Sequence, residues 1–331
     1  MVFARTFIGS REGQLILFTG LFFLAVGTAS PSFLAFRTVD SIITDSAILM
    51  IMASAQMMVI LTRGIDLTVA ANIALTGMIA ALLGMHWPEA PLILFIFVSV
   101  LAGLILGMLN GIFIALLGIP SIVVSLGAMT IYRGMVFVLS GGQWVNSQEM
   151  APAFTAFPLE RACGVTNLAL IGIIISLLAM LGMRFTRFGR ELYAIGGNPE
   201  ATDYVGINTK KRLFAVYSLT GALGGLCGYL WVARFAIAYT EIAQGFELLT
   251  VAACVIGGVG ISGGTGTIFG AVLGALFLGV LQNALPVMGI SPFWQMAVSG
   301  AAILAAVIVN SRGQRQKGLQ ILRITPIKEA G

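Results

Sequence analysis

Long apolar runs, nearly free of charge and interrupted at regular intervals by glycine, proline and basic residues, decide what this chain can become. About 20 consecutive apolar residues let a helix cross the hydrocarbon core of a bilayer, where backbone polar groups must be satisfied internally. Charged residues make up 9% and hydrophobic residues 58% of the 331 positions, and the mean hydropathy is +1.01. Such values lie far from those of soluble domains. They predict an all-α polytopic membrane protein, read as a single transmembrane domain over residues 1–331.

The hydropathy pattern predicts about ten spans: Gln14–Ala29, Ile43–Leu61, Leu67–Met85, Leu92–Leu117, Ile122–Leu139, Asn167–Met183, Leu213–Val232, Leu248–Val259, Thr267–Val287 and Phe293–Val309. The eighth is too short to cross alone and has glycine-rich flanks, so a broken or tilted element is expected there. Arg5 and Arg11 precede the first span, and Gly27-Thr28-Ala29 faintly resembles a signal-peptidase site. An uncut anchor is the expectation, because the later apolar runs are membrane-embedded too.

Net charge is +5, but the basic residues are dispersed among short loops rather than gathered in a stripe, which argues against nucleic acid as a partner. With the N-terminus cytoplasmic, the inner loops collect Arg5, Arg11, Arg63, Arg184, Arg187, Arg190, Lys210, Lys211, Arg212, Arg312, Arg315, Lys317, Arg323 and Lys328, which is 14 of the 18 basic residues. Arg37, Arg161 and Arg234 remain outside and Arg133 falls within the fifth span. The positive-inside rule then places both termini in the cytoplasm.

Two connections stand out by length. Ser140–Thr166 is expected outside, and the segment 184–212 inside. In the latter, Asn198 is a helix cap, Pro199 a first helical residue, Glu200 and Asp203 acids near the positive end, and Gly206 a stop signal. A short surface helix results, with Tyr204 and Val205 as apolar groups able to dock on a partner. An ordinary solvated connector is the plain alternative, although loops this long in compact proteins are often functional.

The two halves of the chain echo one another. Gly64-Ile-Asp66-Leu-Thr-Val-Ala-Ala71 recurs as Gly245-Phe-Glu247-Leu-Leu-Thr-Val-Ala-Ala253 with one insertion, and Gly118-Ile-Pro120 recurs as Gly289-Ile-Ser-Pro292. The predicted topology puts each copy at the face opposite its partner. Inverted repeats of this kind characterise transporters in which two half-bundles rock about a central path. The halves fall at about 43–140 and 213–310, with Gly64, Asp66, Gly245 and Glu247 at hinges or helix starts. Both acids also suit a helix N-terminus simply through the dipole.

Glycines recur at four-residue spacing in Gly103, Gly107 and Gly111, in Gly266, Gly270 and Gly274, and around Gly221–Gly228. In lipid such small residues supply close helix contact. Asn110, Ser125, Thr130, Tyr132, Arg133, Gln282 and Asn283 are polar groups within or beside spans and are candidates for a translocation path. Arg133 lies near the outer end of its helix, where it can either line a cavity or snorkel.

Enzymatic readings find little support. Gly258-Val-Gly260-Ile-Ser-Gly263 matches a dinucleotide fingerprint literally but has no strand before it and no βαβ unit around it. No phosphate-binding G-x-x-x-x-G-K-[ST] loop occurs, so nucleotide hydrolysis would need another subunit. Cys163, Cys227, Cys254 and His86 show no metal-ligand spacing, and no metal or cofactor is expected. No paired acids or nucleophile–base arrangement supports a membrane protease or lipid transferase. An ion-coupled carrier would want several buried charges, and Arg133 alone reads as mid-span.

Several blocks in order resemble the membrane subunits of ribose-type ABC importers, the monosaccharide branch that includes rhamnose and autoinducer-2 permeases. They are Leu61-Thr-Arg-Gly-Ile-Asp66-Leu-Thr-Val69, Leu109-Asn-Gly-Ile112 with Gly118-Ile-Pro-Ser121, Leu126-Gly127 with Tyr132-Arg-Gly134, Phe188-Gly-Arg190 through Ala194-Ile-Gly-Gly-Asn198 to Gly206-Ile207, and Val255-Ile-Gly-Gly258 with Ser262-Gly-Gly264 and Gly266. The resemblance implies a type II importer-like permease in the bacterial inner membrane that moves rhamnose or another small monosaccharide, with an autoinducer-2 permease as the alternative. It implies a second permease chain, a periplasmic sugar-binding protein and a cytoplasmic ATPase that carries the ATP. Gly189, Gly196, Asn198, Pro199, Glu200 and Gly206 then fall in the coupling loop. Arg63 departs from the family's usual Thr-Gly-Gly-Ile-Asp and looks more like the rhamnose and autoinducer-2 branch.

Overall fold

A first helix, α1 (Arg11–Ala29), begins with the Ser10 side chain accepting from the Gly13 N–H and runs against a later helix through Phe18 and Phe277, whose ring centroids are 5.6 Å apart. The computed structural model describes residues 10–291 and, beyond them, residues 294, 297, 300, 301 and 304. After α1 come α2 (Phe36–Leu61), α3 (Val69–His86), α4 (Leu92–Gly111, extended by a π-helical turn at Ile112–Leu116) and α5 (Ser121–Ser140). The chain continues through α6 (Pro152–Ala156), α7 (Asn167–Phe185), α8 (Arg187–Gly197), α9 (Pro199–Tyr204), α10 (Thr209–Phe235), α11 (Phe246–Ile256) and α12 (Ile268–Val287).

Among the described residues, eight helices are long and apolar enough to span a membrane, and each coincides with an expected span. The eighth expected span is α11, only 11 residues long and entered through a turn in which Ala243 and Gly245 are left-handed. The tenth, Phe293–Val309, lies outside the described residues.

Helix direction alternates so that α1, α3, α5, α10 and α12 start at one end of the bundle, where α2, α4, α7 and α11 finish. Contacts fix this. Thr267 donates to Glu12 at 3.2 Å, and the N–H of Gly264 donates to the Leu61 carbonyl at 2.9 Å. The segment 184–212 sits at this same end, the junction end. At the far end, residues 140–166 form a packed cap. Its short strand β1 (Val145–Asn146) pairs antiparallel with β4 (Ile237–Ala238), which follows α10, and β2 (Arg161–Ala162) pairs antiparallel with β3 (Val165–Thr166). Phe154 fills the space beneath, edge-on to Tyr229 at 5.0 Å and to Phe95 at 5.4 Å.

The halves do not pack as two separate bundles. Helix α10 lies mainly on α3 and α4 of the first half, while α2 lies on α7, α10, α11 and α12. Glycines permit the first of these crossings, because a Cβ at Gly103 would strike the Gly221 carbonyl and one at Gly221 would strike the Gly103 carbonyl. On the other side, Gly279 of α12 leaves room for Ser46 of α2. Close backbone approach replaces hydrophobic drive where the surroundings are lipid. The leading helix of each expected half, α2 and α10, is docked on helices of the other half. The sequence echo survives locally, since Gly118 and Gly289 both adopt left-handed φ values, 70° and 74°.

Candidate functional site

At the junction end the chain makes a three-way contact. Helix α2 stops at Leu61 and turns through Thr62 and Arg63, with Arg63 itself left-handed at φ 67°. Helix α8 starts where the Thr186 side chain accepts from the Gly189 N–H, and it ends at Gly197 beside that turn. A glycine-rich turn, residues 257–267, closes the third side and leads into α12.

Hydrogen bonds hold the three together. Arg63 donates from Nε to the Gly196 carbonyl at 2.8 Å and from Nη2 to the Gly197 carbonyl at 2.9 Å. These are terminal α8 carbonyls without helical partners, and a cation there also suits the dipole. The Tyr193 hydroxyl donates to the Gly266 carbonyl at 2.7 Å, and burial raises that phenol above its ordinary pKa. Gly196 permits the approach, since a Cβ there would overlap the Leu61 carbonyl and the Gly264 amide nitrogen. Gly189 serves likewise against the Met183 carbonyl.

Glu191 anchors the other face of α8. Arg187 donates to it at 2.6 Å and Arg212, at the start of α10, pairs with it more closely. The Arg212 hydrogen bond, with help from Arg187, holds the Glu191 carboxyl below its usual range. Beyond α8, Asn198 accepts from the Ala201 N–H at 3.0 Å, Pro199 opens α9, Glu200 sits in the first turn, and Gly206 comes after the helix in the left-handed region at φ 77°. Tyr204 and Val205 are 91% and 72% exposed. Val205 and Ile207 line a shallow groove with Arg187, Arg190 and Glu191.

The path candidates separate into groups. Asn110, Ser125 and Tyr132 are buried and hydrogen-bonded within the bundle. The Tyr132 hydroxyl lies 2.9 Å from the Leu106 carbonyl and 3.1 Å from Asn110 Oδ1, Asn110 donates to Thr68 at 3.0 Å, and Ser125 reaches the Ile65 carbonyl. Asp66, also buried, accepts from the Thr68 N–H at 2.8 Å and the Thr68 hydroxyl at 2.6 Å. These groups brace the turn between α2 and α3, with Gly64 pressed against Tyr217. Thr130 is exposed and bonds back to the Leu126 carbonyl.

Arg133 turns inward. It donates to the carbonyls of Ile242 at 2.7 Å and Thr240 at 3.3 Å, pinning the turn that carries Gly245 and Glu247 into α11. Gln282 and Asn283 line a far-end cavity beside an ion pair between Asp45 of α2 and Arg234 of α10. The sequence reading missed this pair, having assigned Arg234 to a loop and passed over Asp45 within its span. An acid and a base at corresponding depths on different helices were the available signal.

The chain is similar to known membrane permeases. The profile of a family described as "Branched-chain amino acid transport system / permease component" matches residues 38–307. The chain is 37% identical over 292 residues to the ribose import permease protein RbsC of Escherichia coli strain K12, across 87% of this chain and 90% of that protein. It is 30% identical over 315 residues to the autoinducer 2 import system permease protein LsrC of Salmonella typhi, across 92% and 86%. No solved structure matches it. Since the profile covers most of the chain and both relatives align nearly throughout, the chain belongs to this permease family, among the ribose-type permeases of ABC importers.

Proposed function

We propose that this chain is the permease subunit that carries a small neutral monosaccharide, or a furanose-like signal of similar chemistry, into the cell. The observation that carries the reading is the Arg63–Gly196 junction, which connects the exposed 184–212 segment to the α2–α3 turn on one side and to the turn before α12 on the other. A partner pressing on Tyr204, Val205 and the groove beside Arg187 would thereby move both halves together. That partner is a separate ATPase that binds and hydrolyses the ATP.

The junction end is assigned to the cytoplasm. It gathers Arg11, Arg63, Arg184, Arg187, Arg190, Lys210, Lys211 and Arg212, against Arg37, Arg161 and Arg234 toward the other end, in keeping with the positive-inside rule. Both termini are then cytoplasmic in the bacterial inner membrane, and the cap formed by residues 140–166 faces a secreted sugar-binding protein. A second permease chain completes the path.

Uptake of labelled D-ribose and L-rhamnose in cells lacking the chain tests the reading. Complementation should restore uptake of a monosaccharide, and depletion of ATP should abolish it. Unchanged uptake of every neutral sugar offered, or transport that persists without ATP, overturns it.

A further inference from the structure

At the far end, a cavity of about 410 Å³ opens between α2, α10, α11 and α12, walled by Asp45, Trp231, Arg234, Phe246, Gln282 and Asn283 among others. Next to it lies a second of about 320 Å³, edged by Tyr239, Glu241 and Gln244, and the two share Trp231, Phe246 and Leu249 as a common wall. Each volume falls in the range of about 300–1,000 Å³ typical of small-ligand sites.

The chemistry of the lining is selective. Trp231 stands edge-on to Phe246 with ring centroids 5.1 Å apart, so the partition between the chambers is aromatic. Indole rings present an apolar face together with a polar edge, which suits a ligand having both C–H and O–H surfaces. Gln282 and Asn283 add amides that can both donate and accept, as a polyol requires. The cation in the larger chamber, Arg234, is already matched by Asp45, and its buried Nε has no partner among the described residues. The smaller chamber carries the acid Glu241. An anionic ligand would meet no uncompensated positive charge, whereas a neutral one would meet the Gln282 amide and the remaining capacity of the Asn283 amide, whose Nδ2 also donates to the Gly279 carbonyl at 3.0 Å.

We propose that these adjoining chambers are a monosaccharide site on the permease itself, with Trp231 as the ring platform and Gln282 and Asn283 as the hydroxyl partners. The site takes uncharged sugars and rejects sugar phosphates. This deepens the importer reading and rests on it.

The test uses Leu249→Cys, on the wall of both chambers, in the Cys163→Ser background, which removes the exposed native thiol and leaves Cys227 and Cys254 buried. Membranes containing the chain are treated with a thiol reagent while D-ribose, L-rhamnose or ribose 5-phosphate is varied in the millimolar range. At least one neutral sugar should slow labelling at residue 249 by threefold or more and leave labelling of Ser147→Cys, in the exposed cap, unchanged. The phosphate should not protect. Adding Trp231→Leu should remove the protection, and Trp231→Phe should retain part of it at equal protein level. Labelling indifferent to every sugar, or protection by the phosphate equal to that by the neutral sugars, overturns the proposal. If uptake depends on the chain while residue 249 is never protected, the site falls and the import reading stands. If a sugar protects while no sugar uptake depends on the chain, the import reading falls and the binding site remains.

Discussion

Arg63 Nε lies 2.8 Å from the carbonyl oxygen of Gly196, so a residue in the turn after α2 caps the end of a helix 133 positions further along the chain. The same guanidinium reaches Gly197. Arg63 holds this position from a left-handed backbone, which costs a non-glycine residue about 1–2 kcal/mol. Hydrogen bonds from a charged donor, worth about 1.5–3 kcal/mol, outweigh that strain.

Arg63→Gly and Arg63→Ala separate the two effects. Glycine relieves the backbone and removes the cap, while alanine removes the cap and keeps the strain. Both should insert normally and lose most transport, about tenfold or more, while Arg63→Lys recovers only part because it lacks the forked geometry. Retention of full uptake by Arg63→Gly would show that the cap does not transmit motion.

Gly196 and Gly197 are neighbours with opposite surroundings. A Cβ at Gly196 meets the Leu61 carbonyl and the Gly264 backbone, whereas one at Gly197 meets nothing within 4 Å. Gly196→Ala should therefore open the junction and abolish uptake, with Gly197→Ala close to wild type. Hydrogen exchange of residues 187–197 in the purified protein reads the opening directly.

Glu191 gives the junction an acid limit. Its carboxyl is held below its ordinary pKa mainly by Arg212 and then by Arg187. A group whose pKa is lowered on folding contributes stability above its unfolded value, and that contribution is lost as the pH falls through the folded value. Proteolysis of the 184–212 segment should accordingly be slow at neutral pH and accelerate under acid, below the usual carboxylate range. Glu191→Gln should be cut quickly at every pH.

Tyr132 is expected to brace the bundle and not to line the path. Tyr132→Phe deletes the hydroxyl that lies against the Leu106 carbonyl and Asn110. A loss of about 1–2 kcal/mol is expected, read as a lowered Tm, with the order of preference among sugars unchanged. A changed preference would return Tyr132 to the path.

What could be read from the sequence was what depends on local pattern. Each described span appeared as an apolar run, and the Asn198 cap, the Pro199 start and the Gly206 stop came from backbone chemistry within a few residues. Asp66 was legible as a polar group at a helix start. The chain of bonds that continues from its neighbour Thr68 to Asn110 and on to Tyr132 was not, because that meeting depends on how α3, α4 and α5 cross. The same holds for Asp45 with Arg234, separated by 189 positions. Arg63 stood out only as an unexpected side chain in a glycine-rich turn, and its target became visible when α8 was placed. The glycines of 257–266 could be dismissed as a nucleotide motif, yet periodicity gave no sign that they receive α8.

The crossing of α10 over α4 has a consequence for biosynthesis. Gly103 emerges from the ribosome more than a hundred residues before Gly221, the residue whose backbone it touches. At roughly 5–20 residues per second, that interval leaves the glycine stripe of α4 bare for about ten seconds. Until then it must be shielded by lipid or by the insertion machinery. A gene cut between α9 and α10 should yield two fragments that are each degraded when made alone and persist when made together.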